Sequence, residues 1–216
     1  MSQTADSRGV RGAQTWGDEL NRLDVAVYAA IAATPTPAMD VALSRLSRAA
    51  SYSRLWLGSS AVLAACGGKR GRRAAENGLA SIALTSAVVN LMLKPLGNRR
   101  RPDRQIYDVP VARQVTMPRS TSWPSGHAAS AFAFASGVSA AWPQAGIPLG
   151  VVASLVAYSR VHTGVHYPSD TIAGTVCGVA LGPVAVAAVE RRREQQRRQS
   201  ESRFTKLLHR WRSAGS

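Results

Sequence analysis

Cysteine is almost missing from this chain. Cys66 and Cys177 are its only two, each inside an apolar run and without a paired spacing, which excludes a disulfide framework and a Cys-based zinc site. Both read as packing residues. Acidic residues are scarce as well: 12 Asp and Glu stand against 27 Lys and Arg, a formal net charge of +15. The first 17 residues carry Arg8 and Arg11 but no apolar stretch directly follows them, so they read as a loose tail rather than a cleaved export signal. With 45% hydrophobic residues, the chain is too apolar to be disordered throughout.

The basic residues are not spread evenly. Nine lie in 191–212, seven in 94–119 and four in 69–73, and the sequence between these segments is nearly uncharged. Four stretches, 55–68, 78–93, 127–159 and 171–189, contain no Asp, Glu, Lys or Arg. The third is twice as long as the others and is interrupted by Trp142-Pro143-Gln144-Ala145-Gly146, a helical hairpin turn by composition. Five candidate membrane helices result. A helix needs roughly 20 residues to cross a hydrocarbon core of ~30 Å, and 78–93 reaches that length by extending into 74–77. Gly174, Gly178 and Gly182, four residues apart, suit close helix packing in lipid. Ahead of these runs, 18–33 and 39–54 flank the Thr34-Pro35-Thr36-Pro37 break. In the second of them Val41, Leu43, Leu46, Ala49 and Ala50 alternate with Asp40, Arg45 and Arg48, as on an interfacial amphipathic helix, while 23–33 is interfacial or a sixth, partial span. The expected fold is all-α, a polytopic membrane bundle with about five to six transmembrane helices.

Polar residues gather at the ends of the apolar runs. Lys94 closes the second, followed by Arg99, Arg100, Arg101 and Arg104; Pro124-Ser125-Gly126-His127 opens the third; Arg160, His162 and His166 follow the fourth; Asp170 precedes the fifth. If the helices alternate in direction, all of these reach one membrane face. Lys94, Arg101 and Arg160 then supply three cations, and Ser125-Gly126 supplies backbone N–H groups at a helix start, a set that suits a phosphate. Gly126 also lets the backbone approach without a Cβ. Two histidines beside a phosphate point to phosphoryl transfer through a covalent intermediate, one imidazole attacking and the other donating a proton to the leaving oxygen. Asp170, four residues after His166, is placed to hold that ring in its attacking tautomer. His166 is thus the better nucleophile, and His127 the better general acid.

These residues resemble a known signature. Lys94, six residues and then Arg101-Pro102; Pro124-Ser125-Gly126-His127; and Ser159-Arg160, five residues, His166, three residues, Asp170 are similar to the three parts that mark the type-2 phosphatidic acid phosphatase superfamily, and the surrounding text looks most like its actinobacterial members. The resemblance covers roughly residues 40–189. It implies phosphate binding by Lys94, Arg101, Ser125, Gly126 and Arg160, acid catalysis by His127, nucleophilic attack by His166 and orientation of His166 by Asp170, with no metal and no other cofactor. His162 lies outside the signature and stays without a role. The implied activity is hydrolysis of a membrane lipid phosphate such as phosphatidic acid, phosphatidylglycerol phosphate or a polyprenyl phosphate or pyrophosphate.

The chain accordingly divides into an N-terminal tail at 1–17, amphipathic helices at 18–54, a membrane phosphatase domain at 55–189 and a basic tail at 190–216. Residues 69–73 and the tail share the end opposite the site, so the positive-inside rule predicts a cytoplasmic tail and an extracytoplasmic site in a multi-pass plasma-membrane protein. Lipid is the expected partner, and nucleic acid is not. Two rival readings are a haloperoxidase-like protein that binds vanadate in the same cradle, and a basic membrane anchor or scaffold that binds anionic lipid or nucleic acid through 191–212.

Overall fold

Helices in this chain stop where proline, glycine or a left-handed residue interrupts an otherwise apolar run. In the computed structural model, residues 7–214 are described, with side chains described for 16–204, and only helix and loop occur among them. The elements are α1 (Ser7–Ala33), α2 (Pro37–Ala49), α3 (Arg54–Cys66), α4 (Gly68–Ala87), continued through a wide π turn at Val88–Leu93 into α5 (Lys94–Leu96), then α6 (Gly126–Ala141), α7 (Pro143–His162) and α8 (Pro168–Ala214). Pro35 and Pro37 break the backbone between α1 and α2, which meet at 117°. The hairpin turn narrows to Trp142 alone, because Pro143 occupies the first position of α7, where its missing N–H costs nothing.

α6 is the centre. It packs against α4, α7 and α8 and is apolar all round, burying Ala128, Ala131, Ala133, Phe134 and Val138. α8 approaches closely through its glycine stripe. A Cβ on Gly174 would stand 2.3 Å from the Ser125 carbonyl oxygen, one on Gly178 2.3 Å from that of Ala129, and one on Gly182 2.8 Å from Ser136 Cβ. Two backbones therefore touch where side chains would normally separate them. Gly178→Ala is expected to force the pair apart at a cost of about 1–3 kcal/mol, seen as a lower thermal midpoint in detergent. Gly150→Ala, inside α7 where nothing lies within 4 Å, should not lower the midpoint and should raise it slightly through helix propensity.

The helices run alternately between two ends. At one end Ser51 meets His127, Lys94 meets Ser120, and the Ser125 N–H donates to the Asp170 carbonyl. At the other, Arg70 donates to the Ala141 carbonyl and Arg73 pairs with Glu190. Large apolar side chains cover the outside between the ends, among them Leu91, Met92, Ile147, Ile172 and Val176, while Asn77, Ser81 and Thr85 of α4 are buried. Buried polar side chains beneath an apolar exterior suit a lipid surround. By length and composition Gly68–Leu96 and Pro168–Phe204 can each cross a membrane, and the bent pair Trp16–Ala33 and Pro37–Ala49 adds a third span if counted as one.

Four expectations need correction. Residues 7–17, assigned to a loose tail, are part of α1, and residues 1–6 lie outside the described residues. α8 continues without a break from the apolar run into the basic segment, so helix spans the boundary at 190. The buried face of α2 consists of Asp40, Leu43, Ser44 and Ser47, while Val41 is 45% exposed. A helix surrounded partly by lipid can turn apolar residues outward, so amphipathic spacing fixes the stripe but not its direction. Cys66, expected to pack, is exposed at the end of α3, and Cys177 is half-buried.

Candidate active site

All eight residues singled out from the sequence come together at one end of the bundle. Lys94 follows the π turn, and its Nζ donates to Ser120 Oγ at 3.0 Å. Arg101 reaches the same serine: its Nε donates to the Ser120 carbonyl at 2.9 Å and its Nη2 to the Thr121 carbonyl at 3.1 Å. Ser125 caps α6 by accepting from the Ala128 N–H, which leaves the N–H groups of Gly126 and His127 without an intrahelical partner. A Cβ on Gly126 would project to 3.7 Å from Lys94 Nζ, into the space between helix start and cation.

His166 sits in the short loop between α7 and α8 and is 2% exposed. Its Nε2 lies 3.1 Å from Arg101 Nη1, and its Nδ1 lies 3.5 Å from Asp170 Oδ2 and 3.4 Å from Ser122 Oγ. A guanidinium only donates, so the Nε2 facing Arg101 is the unprotonated nitrogen and Nδ1 carries the hydrogen, toward the carboxylate. Burial is the main influence on this ring, and the charges of Arg101 and Arg160 act in the same sense. Against the opposing pull of Asp170 they push the imidazole down to about 4.

Asp170 is fully buried, and both of its oxygens are engaged. Oδ2 accepts from Ser122 Oγ and from the Tyr167 N–H at 2.9 Å, and Oδ1 accepts from Arg99 Nη1 at 2.9 Å. His127, the second residue of α6, points its Nε2 at Ser51 Oγ at 3.4 Å. A cavity of about 410 Å³ opens beside it, bordered by Arg160, Arg48, Ser51, Tyr52 and Arg54. Arg160 is 2% exposed; its Nη1 donates to Ser47 Oγ of α2, and its buried Nε has no partner among the described residues.

Several residues around the site were given no role by the sequence. Arg99 bridges Asp170 to Asp24 of α1 and lies over the Tyr167 ring, 4.4 Å from its centroid. Burial opposes its charge, yet the two carboxylates raise its pKa above the ordinary arginine value. Asp24 also accepts from the Ser169 N–H at 2.8 Å, tying α1 to the start of α8. No spacing rule links residue 24 to residue 170. His162, left without a role, bonds Asp40 Oδ1 at 3.0 Å within a buried group where Arg113 also binds that oxygen, at 2.7 Å, and holds the Ile31 carbonyl at 2.9 Å. It belongs to the stitching of the α1–α2 corner. Among the described residues no group of three or more His, Cys, Asp or Glu is arranged to hold a metal ion.

The family described as the PAP2 superfamily has a model that matches residues 77–194, from the middle of α4 into α8. The chain belongs to the PAP2 superfamily. The signature read from the sequence falls inside this stretch. Among curated relatives, the decaprenylphosphoryl-5-phosphoribose phosphatase of Mycobacterium tuberculosis is 36% identical over 103 residues, 47% of this chain and 54% of the relative. The chain thus spans about half the length of the curated relatives it matches. In fold, this PAP2 chain is similar to Aquifex aeolicus LpxE, with a TM-score of 0.63 at 24% identity, over 76% of this chain and 95% of that one. It is also similar to a transmembrane PAP2-type phosphatidylglycerolphosphate phosphatase from Bacillus subtilis, with a TM-score of 0.62 at 23% identity, over 80% and 87% of the two chains.

Proposed function

We propose that this PAP2 protein is an integral membrane phosphatase that hydrolyses a lipid phosphate monoester or pyrophosphate through a phosphohistidine. The observation that carries the reading is the polarity of His166: an unprotonated Nε2 that faces Arg101, and an Nδ1 turned to a buried carboxylate. Lys94, Arg101, Arg160 and the first N–H groups of α6 hold the phosphate oxygens. His166 Nε2 attacks phosphorus as the bond to the leaving oxygen breaks, and His127 gives that oxygen its proton. His127 must hold a proton before this step, and the negative charge of the bound phosphate, set against the three cations, favours that form. Water then attacks the phosphohistidine, His127 takes the water proton, and phosphate leaves His166 neutral.

The name of the mycobacterial relative favours a polyprenyl-linked phosphate over phosphatidic acid as the substrate class. Lys69, Arg70, Arg72, Arg73 and the basic residues after 190 stand at the end opposite the site. The positive-inside rule therefore favours a cytoplasmic tail and a site outside the plasma membrane. The test is phosphate release in detergent, with EDTA present, from phosphatidic acid, phosphatidylglycerol phosphate and polyprenyl mono- and diphosphates. Release that persists in EDTA supports the reading, and release that depends on added metal overturns the mechanism.

Acid should also be tolerated. The imidazole of His166 loses its attacking lone pair only on protonation, and its pKa is pushed down to about 4. Above that pH the ring stays neutral, so the acid limb that His166 imposes on kcat/KM should fall near pH 4 rather than near the free-histidine value of about 6.5. A pH profile of phosphate release measures this. A limb at the free-histidine value would mean that His166 is not the group titrating.

A further inference from the structure

We infer that Arg48 and Arg54 form a second anion subsite, which takes a phosphate carried by the leaving group. This rests on the phosphatase reading and narrows its substrate class. In an in-line displacement the leaving oxygen departs on the side away from the nucleophile, and the proton donor must stand within hydrogen-bond reach of it. His127, the proposed donor, borders the 410 Å³ cavity, whereas the proposed nucleophile His166 does not. The cavity is therefore the seat of the leaving group; Arg160 and His127 stand where it meets the transferred phosphate, and Arg48 and Arg54, on the rest of its wall, read the leaving group.

Arg48 ends α2 and Arg54 begins α3, and neither belongs to the three-part signature. Between them Tyr52 and Ser53 hold φ angles of 55° and 58°, a left-handed conformation that non-glycine residues adopt at a cost. This turn brings both arginines onto one cavity. No carboxylate answers them: the cavity is bordered by Arg48, Arg54 and Arg160 without an acidic residue, and neither Arg48 nor Arg54 forms an ion pair among the described residues. Arg48 donates to Ser44 Oγ at 3.3 Å, and Arg54 lies over the Tyr52 ring at 5.6 Å. A diacylglycerol leaving group offers such a wall only neutral ester oxygens, while a phosphate offers the charged oxygen pairs that a guanidinium fork fits.

The far side of the cavity shows where the rest of the substrate goes. Arg54 also borders an apolar groove of about 750 Å³ between α3 and α7, lined by Leu55, Val62, Pro148 and Leu149. From the catalytic histidines outward, the order is thus transferred phosphate, second phosphate, hydrocarbon chain. A lipid with that order carries a second phosphate between the hydrolysed one and its chain, either directly joined as a diphosphate or through a bridging sugar or glycerol.

The test compares wild type with the R48Q/R54Q double variant in two ways. The first measures kcat/KM for farnesyl diphosphate, farnesyl monophosphate and a prenylphosphoryl-ribose 5-phosphate. Wild type is expected to favour at least one doubly phosphorylated lipid over the monophosphate by about tenfold or more, and the double variant to bring that ratio towards one. Which lipid is favoured separates the direct diphosphate from the sugar-bridged arrangement. The second measures binding of inorganic pyrophosphate and inorganic phosphate without turnover. Pyrophosphate should bind wild type more tightly than phosphate, and the double variant should lose that difference. A preference ratio unchanged by the substitutions, or pyrophosphate bound no more tightly than phosphate by wild type, overturns the subsite. Failure of the phosphatase reading is seen separately, as an absence of hydrolysis of every lipid, and the pyrophosphate measurement then still decides the subsite.

Discussion

Glutamine in place of His166 is expected to lower phosphate release by about 10⁵-fold or more, the scale seen when the nucleophile of a covalent mechanism is removed. Stopped turnovers of wild type with a 32P-labelled lipid should yield acid-labile, base-stable protein-bound phosphate, and the variant should yield none. The reason lies in the geometry at Nε2. Arg101 donates to that nitrogen at 3.1 Å, which keeps hydrogen off Nε2, and the lone pair is released for attack when the guanidinium turns to a phosphate oxygen. The Gln amide cannot replace that nucleophilic nitrogen, although its oxygen can still accept from Arg101. Phosphate affinity should therefore survive far better than turnover. His166 is only 2% exposed, so thermal unfolding of the variant must be followed alongside. A folded variant with normal hydrolysis would remove His166 from the mechanism.

The second large effect is expected at Asp170. Replacement by Asn keeps the shape and reverses part of the hydrogen-bond polarity. Oδ1 accepts from Arg99, and Oδ2 faces Ser122, the Tyr167 N–H and His166 Nδ1. All the backbone and arginine partners donate, so the amide NH2 of an Asn meets a donor in either of its two flips. It also removes the acceptor that favours hydrogen on Nδ1, and the imidazole can then carry its proton on the attacking nitrogen. A loss of about 10³–10⁴-fold in kcat is expected, by analogy with catalytic triads whose orienting carboxylate is neutralised. Because Asp170 raises the pKa of His166, its loss should move the acid limb of the pH profile to still lower pH. A purely structural defect would reduce active protein without moving that limb. Substitution of Arg99 or Asp24 should follow in the same direction with smaller effect, because they hold Asp170 without touching the ring.

Much of the catalytic end was legible in the chain itself. Charge-free runs require helices that bury or span, and polar residues at matched run ends require convergence if successive helices alternate. Lys94, Arg101, Ser125, Gly126, His127, Arg160, His166 and Asp170 are all named by that argument and by the signature, and all eight meet at one end. The glycine stripe of α8 was legible too, since close backbone approach needs small residues one turn apart.

Other features required the folded chain. Asp24 and Asp170 share Arg99, and Ser47 receives Arg160, across separations of 75 and 113 residues that no periodicity encodes. α2 carried a visible stripe, but its polar side turned inward toward Arg113, His162 and Arg160. The cavity wall of Arg48 and Arg54 depends on two left-handed residues that carry no glycine to announce them. Helical spacing determines which residues share a face, because 3.6 residues make a turn wherever the helix lies. Which face meets which neighbour is decided by packing and surroundings, and so only the tertiary structure decided how α1 and α2 complete the site.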